Sequence, residues 1–276
     1  MYMCNVAIII LNYMSWKDTL EEVKICHKVL GFSSEQIIVV DNMSPNESAE
    51  QLEKNSSNNY IFLLSKKNSG YAAGNNIGLK YAFDCGFKYG WILNNDIIIS
   101  DKFIVNKLLN VFQKEPNVAV VNPDVYTNEG TLYNRDSIRP TFFDYTFGLA
   151  FYRYKGRHVD DRGGYGFVYR PQGCCMIIDL KKLNEVGYMD EYTFLYGEEP
   201  ILAERFLKKG YKCACCIETS IIHNHSKTVK KYVDKYKLRK MCNKNLKYLL
   251  CNYRKYSRFA ASICCFFNSV KMLILE

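Results

Sequence analysis

The fold is decided by residues 6–41, VAIIILNYMSWKDTLEEVKICHKVLGFSSEQIIVVD, which contain one strand–helix–strand unit. Residues 6–11 (VAIIIL) and 37–40 (IIVV) are continuous apolar runs rich in β-branched side chains. Such runs are typical of strands buried on both faces of a parallel sheet. Residues 16–30 space their apolar side chains at helical intervals, and Gly31 ends that pattern. The unit therefore predicts two parallel strands joined by a crossover helix.

The alternation of strand and helix continues along the chain. Further strands are predicted at residues 60–64, 91–93, 118–121 and 174–178, with one or two more within 211–222, and helices at 74–85, 103–112, 181–186 and 198–208. We therefore expect an α/β fold with a mostly parallel central sheet and helices on both faces. The pattern fades between residues 126 and 170. Residues 133–169 contain 11 Phe or Tyr and five Arg, which suit a mobile acceptor loop, although about half of these aromatic residues are expected in the core instead.

Polar residues stand where three of the predicted strands end. Asn12 follows the first strand, Asp41 the second and Asp96 the fourth. Ligands of open α/β sheets bind beyond the carboxyl ends of the strands. Asp and Asn are also ordinary turn formers, but that explanation suits one such position better than three. A carboxylate at Asp96 can hold Mg²⁺ or Mn²⁺ together with diphosphate oxygens, so these positions predict a metal-dependent ligand site.

A second acidic position lies in the C-terminal half. Glu198 and Glu199 follow an aromatic loop and begin the predicted helix at residues 198–208, where Pro200 is tolerated in the first turn. A carboxylate in this position can act as a general base on a hydroxyl group. The same pair can instead complement the positive end of the helix dipole. The spacing alone leaves both explanations open.

Four motifs, in the right order, resemble those of the family 2 glycosyltransferases, especially their bacterial rhamnosyltransferase-like branch. They are Asn68-Ser-Gly-Tyr-Ala-Ala-Gly-Asn-Asn-Ile-Gly78, Asn94-Asn95-Asp96, the block from Gly187 to Arg205, and His223-x-x-Ser226. The resemblance covers residues 6–226, roughly four fifths of the chain. It implies a GT-A fold, a nucleotide-sugar donor, a Mg²⁺ or Mn²⁺ ion, and transfer with inversion at the anomeric carbon.

The resemblance also assigns roles to the matching positions. Glu199 takes the place of the general base, Asp41 meets the base or ribose of the nucleotide, and Asp96 with His223 holds the metal. The implied donor-binding residues are Asn12, Asp41, Asn68, Gly70, Asn75 and Asn95, and the implied acceptor-side residues are Asp190, Glu191 and Glu198. The expected reaction moves a sugar from a UDP- or dTDP-sugar to a hydroxyl of a glycan or lipid-linked acceptor, in the synthesis of cell-surface polysaccharide.

Three residues depart from the family pattern. Asn94 replaces the first Asp of the D-x-D motif, Glu199 replaces an Asp, and Ile201 replaces a second Asp of the same block. The first departure is expected to weaken metal binding, and the second moves the carboxylate by one methylene group. The third removes an acceptor contact or an interaction at the start of the helix. A catalytically inactive relative that binds a nucleotide sugar is therefore the first alternative function.

The excess positive charge lies at the C-terminal end. Residues 226–276 contain 13 Lys or Arg and two acidic residues, whereas the first 225 residues carry 24 basic and 26 acidic side chains. We divide the chain into a GT-A catalytic domain at 1–226 and a basic amphipathic helical tail at 227–276. Within the domain, 1–125 is the nucleotide-sugar-binding half and 126–226 the acceptor-side half. A nucleic-acid binder would more often spread basic residues over its folded face, so no nucleic-acid partner is expected.

The composition of the tail suits contact with an anionic membrane. Residues 259–275 are apolar except for four positions, and a basic stretch precedes them. This run is too short and interrupted for a spanning helix, but such a helix can lie among lipid headgroups. Because no signal peptide is predicted, we expect a cytoplasmic protein, peripheral on the inner face of the cell membrane. The alternatives are a helix packed on the catalytic domain and a basic membrane or nucleic-acid adaptor.

The chain contains twelve cysteines. Cys174, Cys175, Cys213, Cys215 and Cys216 fall inside apolar runs and lack the CxxC spacing of a zinc site. We expect them to be buried thiols that act as small hydrophobic residues in a reducing cytoplasm.

Overall fold

The computed structural model describes residues 3–148, 158–224 and 235–274. In chain order the strands are β1 (Val6–Asn12), β2 (Ile37–Asp41), β3 (Ile61–Leu64), β4 (Tyr89–Leu93), β5 (Ile97–Ile99), β6 (Val118–Tyr126), β7 (Tyr165–Val168), β8 (Cys175–Asp179) and β9 (Lys212–His223). The helices are α1 (Trp16–Lys28), α2 (Ser48–Lys54), α3 (Tyr71–Asp84), α4 (Ile104–Lys114), α5 (Phe142–Tyr145), α6 (Leu180–Glu185), α7 (Glu198–Lys208), α8 (Lys235–Tyr248) and α9 (Arg258–Ile274). A π-helical segment, Leu249–Tyr253, follows α8 directly.

The strands form one mixed sheet in the order β3-β2-β1-β4-β8-β6-β9-β5, with β7 also paired to β9. Among the described residues, β1–β2, β1–β4, β2–β3 and β6–β9 are parallel pairs, whereas β4–β8, β6–β8, β5–β9 and β7–β9 are antiparallel. The prediction of a mostly parallel sheet is therefore wrong. It holds for the N-terminal half, where helices connect the strands. β8 follows a long segment rather than a crossover helix, and it inserts antiparallel between β4 and β6.

Helices cover both faces of the sheet, as predicted. On one face, Ile8 of β1 shares a buried cluster with Val23 of α1 and Leu108 of α4. On the other face, Ile9 of β1 shares a cluster with Leu79 of α3. Successive strand residues point to opposite faces, so a continuous apolar strand such as β1 supplies both clusters. Each fully buried aliphatic side chain of this kind contributes roughly 1.5–3 kcal/mol to stability.

Two glycines allow α3 to lie close to β1. A Cβ atom at Gly74 would lie 2.5 Å from the side chain of Leu11, and one at Gly78 would lie 2.7 Å from the side chain of Ile9. The space that a larger residue would need is already filled by the strand, so only glycine fits. The start of α3 is thereby held at the carboxyl end of β1.

Four short elements were not predicted from the sequence. β5, β7, α2 and α5 have three, four, seven and four residues, too few for a clear periodicity. Of these, β5 matters for the site because it pairs Ile97 with His223. Through this pairing, the residue that precedes β5, Asp96, lies beside the last residue of β9.

The five cysteines expected in the core are buried, and all twelve are free thiols. Burial raises the pKa of Cys213 and that of Cys175 to about 12. These thiols therefore stay protonated and act as small apolar side chains.

The described part of the C-terminal tail is helical and packs on the rest of the chain. Leu250, Ala261 and Cys264 form a small apolar cluster between its helices. The Asn245 amide on α8 donates to the carbonyl oxygen of Tyr196, just before α7. The packing alternative is thus observed for residues 235–274, whereas Ser226 and residues 227–234 lie outside the described residues. Among the helices described, none has both the length and the apolar character needed to span a bilayer.

Candidate active site

A buried polar network links the carboxyl ends of β1, β2 and β4. Asn12 Nδ2 donates to Asp41 Oδ2 at 2.7 Å, and Asn12 Oδ1 accepts from Thr19 Oγ1 at 2.9 Å. Asn95 Nδ2 also donates to Thr19 Oγ1, at 2.7 Å. The backbone N–H and the hydroxyl of Ser44 each donate to the Asp41 carboxylate at 2.8 Å. Three predicted donor-binding residues therefore belong to one network, in which the fully buried Asp41 is held by protein groups.

The loop before α3 is shaped by Asn68 and Gly70. Asn68 Oδ1 accepts hydrogen bonds from the Gly70 N–H and from Asn42 Nδ2, both at 3.1 Å. Gly70 has a φ of +95°, and a Cβ there would lie 2.1 Å from the carbonyl oxygen of Phe194. The Tyr71 N–H donates to that same carbonyl at 2.8 Å. The loop therefore abuts the segment that leads to the acidic pair, and only glycine permits this approach.

Helix α3 is tied to the second half of the chain by Asn76. Its Oδ1 accepts from the Met189 N–H at 3.1 Å, and its Nδ2 donates to the Met189 carbonyl and to Glu191 Oε1, both at 2.9 Å. The predicted donor-binding residue, Asn75, donates only to the Tyr71 carbonyl, at 3.0 Å. The buried Oδ1 of Asn75 has no hydrogen-bond partner among the described residues. Of these adjacent asparagines, Asn76 joins the two halves and Asn75 retains an unused oxygen.

The predicted acceptor-side carboxylates Asp190 and Glu191 both have protein partners. Asp190 is buried, forms an ion pair with Arg205 at 3.1 Å, and accepts a hydrogen bond from Tyr248 at 3.0 Å. Glu191 is exposed and accepts from Asn76. These contacts make both residues part of the support of the loop between α6 and α7.

Asp96 and His223, the predicted metal ligands, lie side by side. His223 Nε2 is 3.1 Å from Asp96 Oδ1, and the Tyr133 hydroxyl is 2.7 Å from His223 Nδ1. Two donor atoms at neighbouring corners of an octahedral Mg²⁺ shell lie about 3 Å apart, because each is about 2.1 Å from the ion. The observed pair therefore fits two such corners. Within the described ranges, no cluster of three or more His, Cys, Asp or Glu side chains is arranged to hold a metal ion.

Glu198 and Glu199 have different surroundings although they are adjacent. Glu198 is buried, and burial together with the neighbouring Glu199 raises its pKa to about 8. Glu198 is therefore held largely protonated at neutral pH. Glu199 is partly exposed, and its Oε1 lies 3.4 Å from the N–H of Gly173, whose carbonyl oxygen accepts from the Tyr71 hydroxyl at 2.6 Å. Ile201, the third departure from the family pattern, is fully buried in apolar surroundings, where an aspartate would be desolvated.

The loop that carries Asp96 and the side chain of Glu199 both contact the residues just before β8, although they are far apart in the sequence. The Asn94 N–H donates to the Cys174 carbonyl at 2.9 Å, and the Gly173 N–H donates to Glu199 Oε1 at 3.4 Å. Burial raises the pKa of the Tyr71 hydroxyl and that of the Cys174 thiol well above their usual values. The negative charges of both Asp96 and Glu199 add to this rise in each group, and also to the raised pKa of Tyr133, so both carboxylates lie within electrostatic range of these side chains.

Several of these residues were not predicted from the sequence. Tyr71 lies inside the motif at residues 68–78, but its hydroxyl contact with Gly173 depends on the antiparallel β8. Tyr133 is one of 11 Phe or Tyr between residues 133 and 169, and no local pattern separates it from the others. Asn75 was predicted, but its neighbour Asn76 makes the contacts with the second half of the chain.

Comparison with known proteins identifies related sequences. The profile of a family described as Glycosyl transferase family 2 matches residues 7–178, more than half of the chain. One curated relative is the low-salt glycan biosynthesis hexosyltransferase Agl10 of Haloferax volcanii (strain ATCC 29605). It is 25% identical over 221 residues, which cover 80% of this chain and 67% of the relative.

Two solved structures share the fold. The mannosyltransferase PcManGT from Pyrobaculum calidifontis, in complex with GDP-Man and Mn²⁺, gives a TM-score of 0.63 at 12% identity, over 98% of this chain and 74% of that one. GalNAc-T7 with UDP, GalNAc and Mn²⁺ gives 0.62 at 13% identity, over 90% of this chain and 48% of that one. At such identities the likeness concerns the fold alone, and it confirms the predicted GT-A-like architecture.

Proposed function

This chain belongs to glycosyl transferase family 2, and we propose that it transfers a sugar from a nucleoside diphosphate donor to an acceptor hydroxyl, with inversion at the anomeric carbon. The observation that carries the proposal is that the loop of Asp96 and the Glu199 side chain both contact residues 173 and 174. Asp96 comes from the donor-binding half of the chain and Glu199 from the acceptor-side half. A relative named as a hexosyltransferase supports transfer of a hexose or deoxyhexose. The rhamnosyltransferase-like motifs favour a UDP- or dTDP-sugar as the donor.

The donor nucleotide is proposed to lie beyond the carboxyl ends of β1 and β2. The network of Asn12, Asp41 and Asn95 fixes these strand ends relative to α1. Asn68 and Gly70 shape the adjoining loop, and Asn75 contributes the amide oxygen that has no partner within the described part of the chain. The solved structures of similar fold contain GDP-Man or UDP, which supports a nucleotide site in this fold.

Asp96 and His223 are the proposed ligands of Mg²⁺ or Mn²⁺. The Tyr133 hydroxyl beside His223 Nδ1 fixes the orientation of the imidazole ring, as outer hydrogen bonds of metal ligands commonly do. Water and diphosphate oxygens would supply the remaining ligands, which is the usual arrangement for these ions. When bound, the ion supplies Lewis-acid stabilisation of the charge on the diphosphate.

Glu199 is the proposed general base. Its carboxylate removes the proton of the acceptor hydroxyl, while the hydroxyl oxygen forms a bond to the anomeric carbon. The bond from that carbon to the donor diphosphate breaks on the opposite side, and the nucleoside diphosphate leaves with the bonding electron pair. Because Glu198 is largely protonated at neutral pH and Glu199 is partly exposed, Glu199 is the better placed of the two to accept a proton.

A lipid-linked or glycan acceptor at an anionic membrane surface is also proposed, as part of cell-surface polysaccharide synthesis on the cytoplasmic side. The support comes from the tail. Phe259 and Phe266 on α9 are 78% and 65% exposed, although other residues of the same helix are buried against the chain. The 13 basic residues of positions 226–276 would be attracted to anionic headgroups.

The function is tested by nucleoside diphosphate release from UDP-glucose, UDP-N-acetylglucosamine, GDP-mannose and dTDP-rhamnose, with n-octyl β-D-glucoside as acceptor. Release from at least one donor should require Mn²⁺ or Mg²⁺ and stop on addition of EDTA. Asp96→Ala should abolish the metal-stimulated release, whereas Asp101→Ala should preserve it, because the Asp101 carboxylate binds Lys107 and Thr219. Metal-stimulated turnover by Asp96→Ala at the wild-type rate would refute the metal assignment.

A further inference from the structure

The chain turns through an unusual backbone conformation immediately before the acidic pair. Tyr196 has a φ of +65° and Gly197 a φ of +94°, so two consecutive residues are left-handed. For a residue other than glycine this conformation costs about 1–2 kcal/mol, and it persists only where surrounding contacts hold it. Helix α7 begins directly afterwards, with Glu199 as its second residue. The direction of the Glu199 side chain therefore depends on this turn.

The turn is held from outside by Asn245 of α8. Asn245 Nδ2 donates to the carbonyl oxygens of Leu195 at 3.0 Å and of Tyr196 at 2.7 Å. The amide is buried, and both of its hydrogens are used in these two bonds. A Cβ at Gly197 would lie 3.2 Å from the Asn245 Cβ, so the two backbones are in close contact.

The other end of the same loop is held by the last residue of α8 and by the π-helical segment that follows it. The hydroxyls of Tyr248 and Tyr253 both donate to Asp190 Oδ2. The ring of Tyr248 also stacks on Tyr192, with centroids 3.7 Å apart. Burial raises the pKa of Asp190, but the hydrogen bonds from Tyr253 and the Tyr192 N–H and the charge of Arg205 outweigh it, so the net pKa is lowered. Asp190 thus stays ionised, and the loop is fixed at both ends.

We propose that Asn245 is a positioning residue of the enzyme, through which the C-terminal helical segment aims the Glu199 carboxylate. This inference rests on the proposed function. It changes the role of the tail, because the segment predicted as a membrane-binding appendage then forms part of the machinery around the base. The competing explanation is that Asn245 only stabilises the fold.

A double-mutant cycle between Asn245 and Glu199 separates these explanations. Asn245→Leu removes both donors at similar size, and a misdirected base should lower kcat about 10–100-fold while the donor KM stays within about twofold. In the Glu199→Gln background the same substitution should have little further effect, because the group that it misdirects is already absent. The matched control is Asn243→Leu, whose amide bonds Ser269 within the tail and not the loop. This control should keep the wild-type kcat.

The assay uses the fastest donor of the panel with n-octyl β-D-glucoside, and thermal unfolding reports folding. An unchanged kcat in Asn245→Leu, or an equal loss in both backgrounds, would overturn the inference. If Asn245→Leu does not fold, Asn245→Ala is measured instead, and unfolding of both variants would assign Asn245 to stability alone. If wild type transfers no sugar, the proposed function itself fails. Wild-type transfer with an unaffected Asn245→Leu variant refutes only the positioning role.

Discussion

At the scale of single residues, the two adjacent glutamates show how surroundings assign chemical roles. Glu198 is buried, and burial together with the charge of Glu199 raises its pKa to about 8, whereas Glu199 is partly exposed and accepts a hydrogen bond from the Gly173 N–H. Pairs of titratable groups in contrasting environments commonly divide the acid and base functions of a site. The sequence offered two equivalent carboxylates, and only the packing around them distinguishes the two.

Glu199→Gln is predicted to lower kcat for sugar transfer by about 10²–10⁴-fold, the usual contribution of a general base. Glutamine keeps the size of the side chain but cannot take a proton, so the donor KM should change little. Steady-state release of nucleoside diphosphate in the presence of acceptor measures both constants.

Glu198→Gln is the matched control and should keep most of the transfer activity. The carboxyl of Glu198 stays protonated in the folded state up to a pH of about 8, whereas in the unfolded chain it ionises near its ordinary pKa of about 4.3. Rising pH between these values therefore destabilises wild type relative to the glutamine variant. The difference in melting temperature between Glu198→Gln and wild type should therefore shift in favour of the variant as the pH rises from 5 to 8. A greater loss of transfer in Glu198→Gln than in Glu199→Gln would show that Glu198, and not Glu199, is the general base.

Motif positions such as Asp96, His223 and Glu199 were predictable because their residue types and order match a family pattern. Tyr71 and Tyr133 were not, because their contacts depend on strands that pair across the whole sheet. The sequence pattern locates the charged groups of the site, but it does not show which neutral side chains pack around them.

At the scale of elements, the loop before α3 depends on one glycine. Gly70→Ala should lower the free energy of unfolding by about 1–3 kcal/mol because its backbone conformation (φ +95°, ψ −176°) is essentially restricted to glycine, and by about 1–3 kcal/mol more because of the clash with the Phe194 backbone. Gly31→Ala also has a positive φ, +74°, but no neighbouring atom lies within 4 Å of its added Cβ, so it should show only a conformational loss. Urea unfolding measures both variants. Equal losses in the two variants would show that the loop before α3 does not contact the Phe194 backbone in solution.

Long strands and helices were predicted well because their periodicity extends over many residues. β1, α3 and α7 lie within a few residues of the predicted bounds. β5 and β7 were missed, and the direction of β8 was wrong, because strand pairing is a long-range property. The sheet edge formed by β5 and β9 places Asp96 beside His223, so this part of the site followed from the motif resemblance and not from the predicted elements.

At the scale of the whole molecule, positive charge and exposed aromatic rings lie on the same C-terminal segment. The double variant Phe259→Ser/Phe266→Ser should bind phosphatidylglycerol vesicles at least about tenfold more weakly than wild type, because each buried Phe contributes roughly 1.5–3 kcal/mol. Vesicle flotation measures this binding, and high salt should release wild type only in part.

The matched control for membrane binding is Phe103→Ser, since Phe103 is 55% exposed but lies outside the tail. This variant should float with the vesicles as wild type does. Equal binding by wild type and the double variant would show that these two rings do not bind the membrane and that the tail only packs on the rest of the chain.

The central claim is that this chain transfers a sugar with inversion, using one carboxylate as base. The most direct test is to incubate the protein with Mn²⁺, the donor of the panel that it turns over and n-octyl β-D-glucoside. The one-bond coupling between C1 and H1 of the transferred sugar, which differs between α and β anomers, is then read by NMR. We predict a new glycoside whose anomeric configuration is opposite to that of the donor: β from the α-linked UDP- and GDP-sugars, and α from β-linked dTDP-rhamnose. A product that keeps the configuration of the donor would contradict inversion by a single base, and the absence of any glycoside with every donor of the panel would contradict the function itself.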